Sequence, residues 1–197
     1  MEWGDSKIRK LLEDRILKDG IVINNDILKV DSFINHQIDV ALTRELAKDI
    51  AKTFANSGAT KVLTIETSGI PLAYAVAEEL GNIPLLFAKK SKSATVGNDV
   101  FKAVIKSFTR NINSEVTVSN KYLKNNDKVL IVDDFLAEGN AGLGLLDICA
   151  QANAEVVGFA VAIEKNFQGG RKKLEEKGVK VYSGACIKAF VDDKPVF

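Results

Sequence analysis

The chain has 197 residues, of which 46% are hydrophobic, and its formal net charge is +1. This length and composition predict one domain over residues 1–197 with one sizeable core. The near-neutral charge argues against nucleic acid or an acidic membrane surface as the main partner. The sequence contains no apolar run near the ~20 residues that span a bilayer. The first residues also lack an apolar signal core, so we expect a cytoplasmic protein.

The cysteines and the histidine give no sign of a metal centre. Cys149 and Cys186 lie far apart, each in apolar surroundings, and His36 is the only histidine. We therefore expect two buried, reduced thiols rather than a disulfide. A Cys/His zinc cluster is excluded because the sequence has too few of these residues.

The first half of the chain predicts alternating helices and strands. The hydrophobic spacing predicts helices over residues 5–19, 40–57 and 71–80, with strands over 61–65 and 84–88. Each helix is followed by a glycine, at positions 20, 58 and 81. Pro71 suits the first turn of its helix.

The second half begins with a polar stretch, residues 89–98, that breaks this rhythm. Alternating segments over 100–109 and 115–118 predict a hairpin joined by residues 111–114. Then follow a strand over 129–132, a helix over 142–151, a strand over 156–163, a helix over 171–177 and a strand over 179–182. Strands alternating with helices predict an α/β fold with a parallel sheet and right-handed crossovers.

The most informative segment is residues 129–141, where an apolar strand ends in Asp133 and Asp134. A strand that is apolar on both faces is typical of the centre of a parallel sheet. Carboxylates at its carboxyl end project into the crevice where open α/β sheets bind ligands. The loop of small residues that follows leads into a helix, whose free N–H groups can bind an anion. Carboxylates for hydroxyls beside N–H groups for a phosphate indicate a phosphorylated sugar.

This segment resembles the phosphoribosyl-diphosphate motif of type I phosphoribosyltransferases. Residues 28–37, 64–69 and 163–168 narrow the resemblance to the xanthine phosphoribosyltransferase branch of that family. The resemblance runs in order from about residue 20 to about residue 178. It implies a parallel sheet flanked by helices, with a small hood built from roughly residues 1–40 and the C-terminal segment. It also implies a purine-salvage reaction that joins xanthine to C1 of phosphoribosyl diphosphate, giving xanthosine monophosphate and diphosphate.

The resemblance assigns roles to the residues of the central segment. Asp133 and Asp134 would bind the ribose hydroxyls and place negative charge near an oxocarbenium-like C1. The 5-phosphate would be held by backbone N–H groups of Ala137, Glu138, Gly139, Asn140 and Ala141. Gly139 suits this loop because a side chain would crowd the phosphate or forbid the backbone angles. Glu138 departs from the neutral residue usual in the family. A carboxylate near a phosphate is unfavourable by roughly 1 kcal/mol if it stays solvated, so we expect Glu138 to point outward.

Two further segments would hold the leaving diphosphate. Thr67, Ser68 and Gly69 match the family's diphosphate loop, and a Ser/Thr N-cap of the next helix is an additional interpretation. Lys89 and Lys90, with Lys92 and Ser93, occupy the position of the family's mobile loop. Surface lysines commonly serve solubility alone, but here they could close over several phosphate charges.

The base site would contain Leu28, Asn35, Lys165 and Phe167. By resemblance, Lys165 meets the 6-oxo group and Asn35 donates to the 2-oxo group of xanthine. From composition alone, Phe167 is equally suited to the core and to stacking on a base. Asn35 is also a plausible turn residue.

The resemblance further implies Mg²⁺ bound mainly through substrate oxygens, and a homodimer.

Three alternative interpretations of the function stay open. The same reaction could use hypoxanthine, guanine or adenine, or Glu138 could have impaired the phosphate loop. A regulator that binds phosphoribosyl diphosphate without turnover is the third. Such regulators carry a DNA-binding domain, and the segment before Leu28 is too short for one and shows no helix-turn-helix pattern.

Overall fold

A computed structural model, which describes residues 7–90, 99–107 and 112–197, shows helices alternating with parallel strands. The described α-helices are α1 (Lys7–Asp19), α2 (Val40–Phe54), α3 (Ile70–Glu79), α4 (Asn140–Gln151) and α5 (Gly170–Glu175). The described strands are β1 (Ile21–Ile23), β2 (Ile27–Lys29), β3 (Lys61–Ile65), β4 (Leu85–Ala88), β5 (Val100–Ser107), β6 (Ile112–Ser119), β7 (Lys128–Leu136), β8 (Glu155–Lys165), β9 (Val181–Ile187), β10 (Ala189–Val191) and β11 (Lys194–Val196). A π-helical turn (Asp31–Asn35) precedes α2, and a 3-10 turn (Asn166–Gln168) follows β8.

The main sheet has the order β4-β3-β7-β8-β9, and all of its neighbouring strands are parallel. Strand β7 lies at its centre, which confirms the prediction from the apolar run. Two apolar clusters cover the faces: α1, α2 and α3 pack on one, and α4, α5 and the β5–β6 hairpin pack on the other. Because β7 and β8 stay paired as far as Leu136 and Glu164, the side chains that end these strands meet at the carboxyl edge of the sheet.

Several element boundaries differ from the predictions. Helix α2 ends at Phe54, and a turn leads to Gly58, whose φ is +70°. Strand β6 begins at Ile112, so most of the segment predicted to join the hairpin belongs to the strand; residues 108–111 lie outside the described part of the chain. Strand β8 continues through Glu164 to Lys165, because both residues still pair with β9.

Two short hairpins, β1–β2 and β10–β11, were not predicted. Their turns contain pairs of Asn or Asp residues with positive φ, the composition expected of tight turns. The hairpins are joined by two reciprocal hydrogen bonds. The Asn25 N–H donates to Asp193 Oδ1 at 2.8 Å, and the Asp193 N–H donates to Asn25 Oδ1 at 2.7 Å. The N-terminal and C-terminal segments therefore meet at the same side of the molecule.

The prediction of two buried thiols holds for Cys149 but not fully for Cys186. Cys149 is buried and Cys186 is partly buried, and both are free. Burial raises the pKa of the Cys149 thiol to about 12, so this group is an unreactive apolar residue. Across the described ranges, no helix combines the length and apolar character needed to cross a membrane.

Candidate active site at the carboxyl edge of the sheet

Asp133 and Asp134 lie near the carboxyl end of β7, and both are buried, with 6% and 8% of their surface exposed. The Asp134 N–H donates to Asp133 Oδ1 at 2.9 Å. Burial and the neighbouring Asp134 carboxylate raise the pKa of the Asp133 carboxyl well above its usual range. The positive charge of Lys90 opposes this shift. The carboxyl pair is thus crowded and desolvated, and donor groups or cations of a ligand would relieve it.

The loop after β3 lies directly against Asp133. Gly69 occupies the N-cap of α3, and a Cβ built on it would come 2.6 Å from Asp133 Oδ1 and 2.5 Å from Thr64 Oγ1. Thr64 Oγ1 is buried without a hydrogen-bond partner among the described residues. The Ser/Thr N-cap interpretation is wrong, since no side chain caps α3 at this position. Thr67, Ser68 and Gly69 therefore form a turn whose last residue lies against Asp133.

Hydrogen bonds at the end of β4 hold Lys90 beside the loop that follows β3. The Glu66 N–H donates to the Ala88 carbonyl at 3.0 Å, and the Lys90 N–H donates to Glu66 Oε1. Lys89 pairs with Thr117 of β6 through two backbone hydrogen bonds of 3.0 and 2.9 Å. Lys90 thus sits beside the loop and close enough to Asp133 to act on its pKa. Lys92 and Ser93 lie outside the described residues.

The loop between β7 and α4 has the backbone shape expected from its glycine. Gly139 has φ +83°, and a Cβ there would come 3.1 Å from the Gly170 Cα. Helix α4 begins at Asn140, two residues earlier than predicted, so Asn140 and Ala141 lie in its first turn. N–H groups of a first helical turn have no acceptor within the helix. Glu138 is half-buried rather than fully solvated, and its Oε2 accepts from Asn140 Nδ2 at 3.0 Å.

Two of the predicted base residues lie together. Lys165, the last residue of β8, donates from Nζ to the Asp26 carbonyl at 2.7 Å and lies 5.7 Å from the centre of the Phe190 ring. Burial lowers the pKa of the Lys165 ammonium. Phe167 packs edge-to-face on Phe190, with 5.5 Å between the ring centroids, and 44% of its surface is exposed. Phe167 is therefore an exposed ring beside a half-buried cation, not a core residue.

Leu28 and Asn35, the other two predicted base residues, are linked less closely to Lys165 and Phe167. Leu28 is buried, lies two residues beyond Asp26, and packs close to Gly20. Asn35 ends the π-helical turn and is exposed. In the part of the chain that the structure describes, no hydrogen bond joins Asn35 to the Lys165–Phe167 pair.

A buried ionic cluster behind Lys165 was not predicted. Glu164 has no exposed surface; it accepts from Arg171 Nε at 2.9 Å, Ser183 Oγ at 2.7 Å and Asn166 Nδ2 at 3.0 Å. Burial opposes ionisation of Glu164, but the hydrogen bonds from Arg171 and Ser183 outweigh it and lower the pKa. The sequence did carry a signal for this cluster: Glu164 lies inside an apolar strand, and Arg171 follows it seven residues later. Phe190 was missed because its partners are distant in sequence.

Comparison with known proteins agrees with this geometry. The model of the phosphoribosyl transferase domain matches residues 29–193. The xanthine phosphoribosyltransferase of Lactococcus lactis subsp. lactis (strain IL1403) is 51% identical over 188 residues, covering 95% of each chain. That of Clostridium novyi (strain NT) is 48% identical over 188 residues, covering 95% of this chain and 98% of the other.

Solved structures show the same fold at lower identity. Adenine phosphoribosyltransferase from Trypanosoma brucei, in complex with AMP, pyrophosphate and ribose-5-phosphate, superimposes with a TM-score of 0.75 at 19% identity, covering 93% of this chain and 81% of that one. The Giardia lamblia enzyme complexed with 9-deazaadenine gives a TM-score of 0.73 at 22% identity, covering 89% and 97%. The sheet order, the carboxyl pair on its central strand and the sequence match over residues 29–193 lead to one conclusion: the chain belongs to the phosphoribosyltransferase family.

Proposed function

We propose that this protein is a xanthine phosphoribosyltransferase, which transfers the phosphoribosyl group of phosphoribosyl diphosphate to xanthine in purine salvage. The observation that carries the proposal is the contact between Gly69 and Asp133, because it joins a diphosphate-type loop to a sugar-type carboxyl pair. The identity of 48 to 51% with named xanthine phosphoribosyltransferases supports xanthine as the base.

In this proposal Asp133 and Asp134 bind the ribose hydroxyls. Both carboxyls are buried, so hydrogen bonds from the hydroxyls would replace the water that they lack. As the bond from C1 to the diphosphate breaks, positive charge develops on the ribose ring. Fixed carboxylates in a water-poor site stabilise that charge more strongly than solvent can. These two residues are the proposed catalytic groups.

The phosphates would bind on either side of the carboxyl pair. The 5-phosphate is assigned to the loop and helix start formed by Ala137, Glu138, Gly139, Asn140 and Ala141. The diphosphate is assigned to Thr67, Ser68 and Gly69, with Lys89 and Lys90 as cations beside it. The hydrogen bond from the Lys90 N–H to Glu66 Oε1 supports this assignment, because it holds Lys90 beside the loop that begins at Thr67.

The donor set fits Mg²⁺ as a substrate-held ion. Carboxylate oxygens such as those of Asp133 and Asp134 are ligands that Mg²⁺ accepts. Within the described residues, no group of three or more His, Cys, Asp or Glu side chains could form a complete protein site. When bound, Mg²⁺ would neutralise charge on the leaving diphosphate.

For the base, we assign Lys165 to the 6-oxo group and Phe167 to stacking, with Leu28 lining the pocket and Asn35 meeting the 2-oxo group. The half-buried position of the Lys165 ammonium supports the first assignment. A cation favours an oxo acceptor over the 6-amino donor of adenine. The Phe167 ring is 44% exposed and packs edge-to-face on Phe190, so a supported ring with free surface is present for stacking on a base.

We further propose that the β1–β2 and β10–β11 hairpins form the hood of a single domain over residues 1–197. The reciprocal bonds between Asn25 and Asp193 support this, because they join the two ends of the chain next to Lys165. A homodimer, adopted from the family resemblance, and a cytoplasmic location belong to the same proposal.

The test is xanthine-dependent release of diphosphate from phosphoribosyl diphosphate with Mg²⁺, with the nucleotide identified by mass. The unmodified protein should form xanthosine monophosphate, and the Asp134→Asn variant should lose most of this activity while keeping its fold. Tight binding of phosphoribosyl diphosphate without turnover on any purine would contradict the proposal and indicate a regulator.

A further inference from the structure

The first turn of α5 contacts two successive carbonyl groups of the loop between β7 and α4. The Gly170 N–H donates to the Ala137 carbonyl at 3.0 Å. Lys173 Nζ donates to the Glu138 carbonyl at 2.9 Å. Neither contact involves the carboxyl pair or the base residues, so they serve the loop itself.

These contacts fix the direction of the N–H groups in the loop. In a trans peptide the N–H points opposite to the C=O, and the peptides after Ala137 and Glu138 are not cis. Because α5 holds the carbonyls of Ala137 and Glu138, the N–H groups of Glu138 and Gly139 are turned away from α5. An ammonium on the Glu138 carbonyl also polarises that peptide and strengthens its N–H as a donor.

Charge gives Lys173 a second role. Glu138 is half-buried and bonded to Asn140, so its carboxylate stays within the loop. That negative charge opposes a bound phosphate. Lys173 brings a positive charge to the same residue. Lys173 and its neighbour Lys172 are both exposed, but the Lys172 side chain extends to Glu176 instead, with 4.0 Å between Lys172 Nζ and Glu176 Oε1.

We propose that Lys173 is a positioning residue for the 5-phosphate, holding the Glu138 peptide in place and offsetting the Glu138 carboxylate. This inference rests on the proposed function, which assigns the 5-phosphate to this loop. This role explains how a phosphate loop tolerates the Glu138 carboxylate. The lysine that offsets its charge lies on α5, 35 residues further along the chain.

The experiment compares Lys173→Ala with Lys172→Ala as the matched surface control. Removing Lys173 should raise the KM and the calorimetric Kd for phosphoribosyl diphosphate by about 3- to 10-fold, the range expected of one partly solvated charge. The kcat at saturation should stay within about twofold, because ground-state and transition-state binding of the 5-phosphate are lost together. Lys172→Ala should match the unmodified protein. Lys173→Arg should restore most of the affinity, because arginine keeps the charge and the donors.

A double-mutant comparison separates this role from general stability. Glu138→Asn should lower the KM for phosphoribosyl diphosphate more in the Lys173→Ala background, where it should recover about half of the loss or more, than it does with Lys173 present. Equal KM values for Lys173→Ala and Lys172→Ala would overturn the inference. So would the same Glu138→Asn effect in both backgrounds. If the unmodified protein bound no phosphoribosyl diphosphate at all, the proposed function would fail as well.

Discussion

Gly69 lies against Asp133 so closely that a methyl group added at residue 69 would come 2.6 Å from Asp133 Oδ1. The same group would come 2.5 Å from the buried Thr64 Oγ1. The start of α3 and the end of β7 therefore fix one another through a residue without a side chain. This contact sets the separation between the two proposed halves of the phosphoribosyl diphosphate site.

The first prediction is that Gly69→Ala damages catalysis more than stability. Overpacking here should lower the free energy of unfolding by about 1–3 kcal/mol. A displacement of Asp133 of about 1 Å should lower kcat/KM by roughly 100-fold. Gly81→Ala is the control, since Gly81 has φ +94° and no neighbour within 4 Å of a built Cβ. It should lose stability and keep kcat/KM; equal kcat/KM for both variants would contradict the prediction.

The raised pKa of Asp133 predicts a pH-dependent stability of the ligand-free protein. In the unfolded chain this carboxyl ionises near its ordinary pKa of about 3.9, whereas in the folded protein it keeps its proton to higher pH. The folded state thus binds more protons in that window, and stability falls as pH rises from about 4 towards the raised pKa. Below the window the group contributes nothing.

Asp133→Asn should remove this fall, because asparagine does not ionise. Urea unfolding between pH 4 and 7 should show the variant gaining stability over the unmodified protein as pH rises. Asp147→Asn, at an exposed position on α4, serves as the control and should run parallel to the unmodified protein. A parallel curve for Asp133→Asn would show that its carboxyl titrates normally.

Lys165 should determine the use of oxopurines. A charged hydrogen bond contributes about 1.5–3 kcal/mol, so Lys165→Ala should lower kcat/KM for xanthine by roughly 10- to 150-fold. Adenine, whose 6-amino group gains nothing from a cation, should be affected far less. Lys188 is an exposed lysine just after β9, and Lys188→Ala should leave kcat/KM unchanged for both bases. An unchanged base profile in Lys165→Ala would remove Lys165 from the base site.

The buried ion pair between Glu164 and Arg171 should contribute strongly to the free energy of unfolding. Arg171→Met leaves a buried carboxylate without its counter-ion, which should reduce the free energy of unfolding at neutral pH by about 3–5 kcal/mol. Because Arg171 and Ser183 hold the Glu164 pKa low, this contribution is present above the unfolded pKa and is lost as pH falls through the folded one.

The difference between Arg171→Met and the unmodified protein should therefore narrow in acid. Chemical unfolding at several pH values measures it, with Lys172→Ala as the neighbouring surface control that should change stability by no more than about 0.5 kcal/mol. A difference that stays constant with pH would mean that Glu164 does not ionise in the folded protein.

The sequence predicted the central features of the fold because they rest on local patterns. The apolar run before Asp133 placed β7 at the centre of the sheet, and Gly139 indicated the positive φ that the loop has. The hairpins at the two ends of the chain were missed, since strands of three residues carry too little periodicity. The contacts of Phe190 with Phe167 and of Lys173 with Glu138 join residues far apart in sequence, and no local pattern predicts them.

A competition between purine bases tests directly whether the protein is specific for xanthine. Equal concentrations of xanthine, hypoxanthine, guanine and adenine are offered with limiting phosphoribosyl diphosphate and Mg²⁺, and the nucleotides are separated and identified by mass. Xanthosine monophosphate should dominate the products. A dominant nucleotide of another base would contradict the assignment of Lys165 and Asn35, and no nucleotide at all would contradict the proposed reaction.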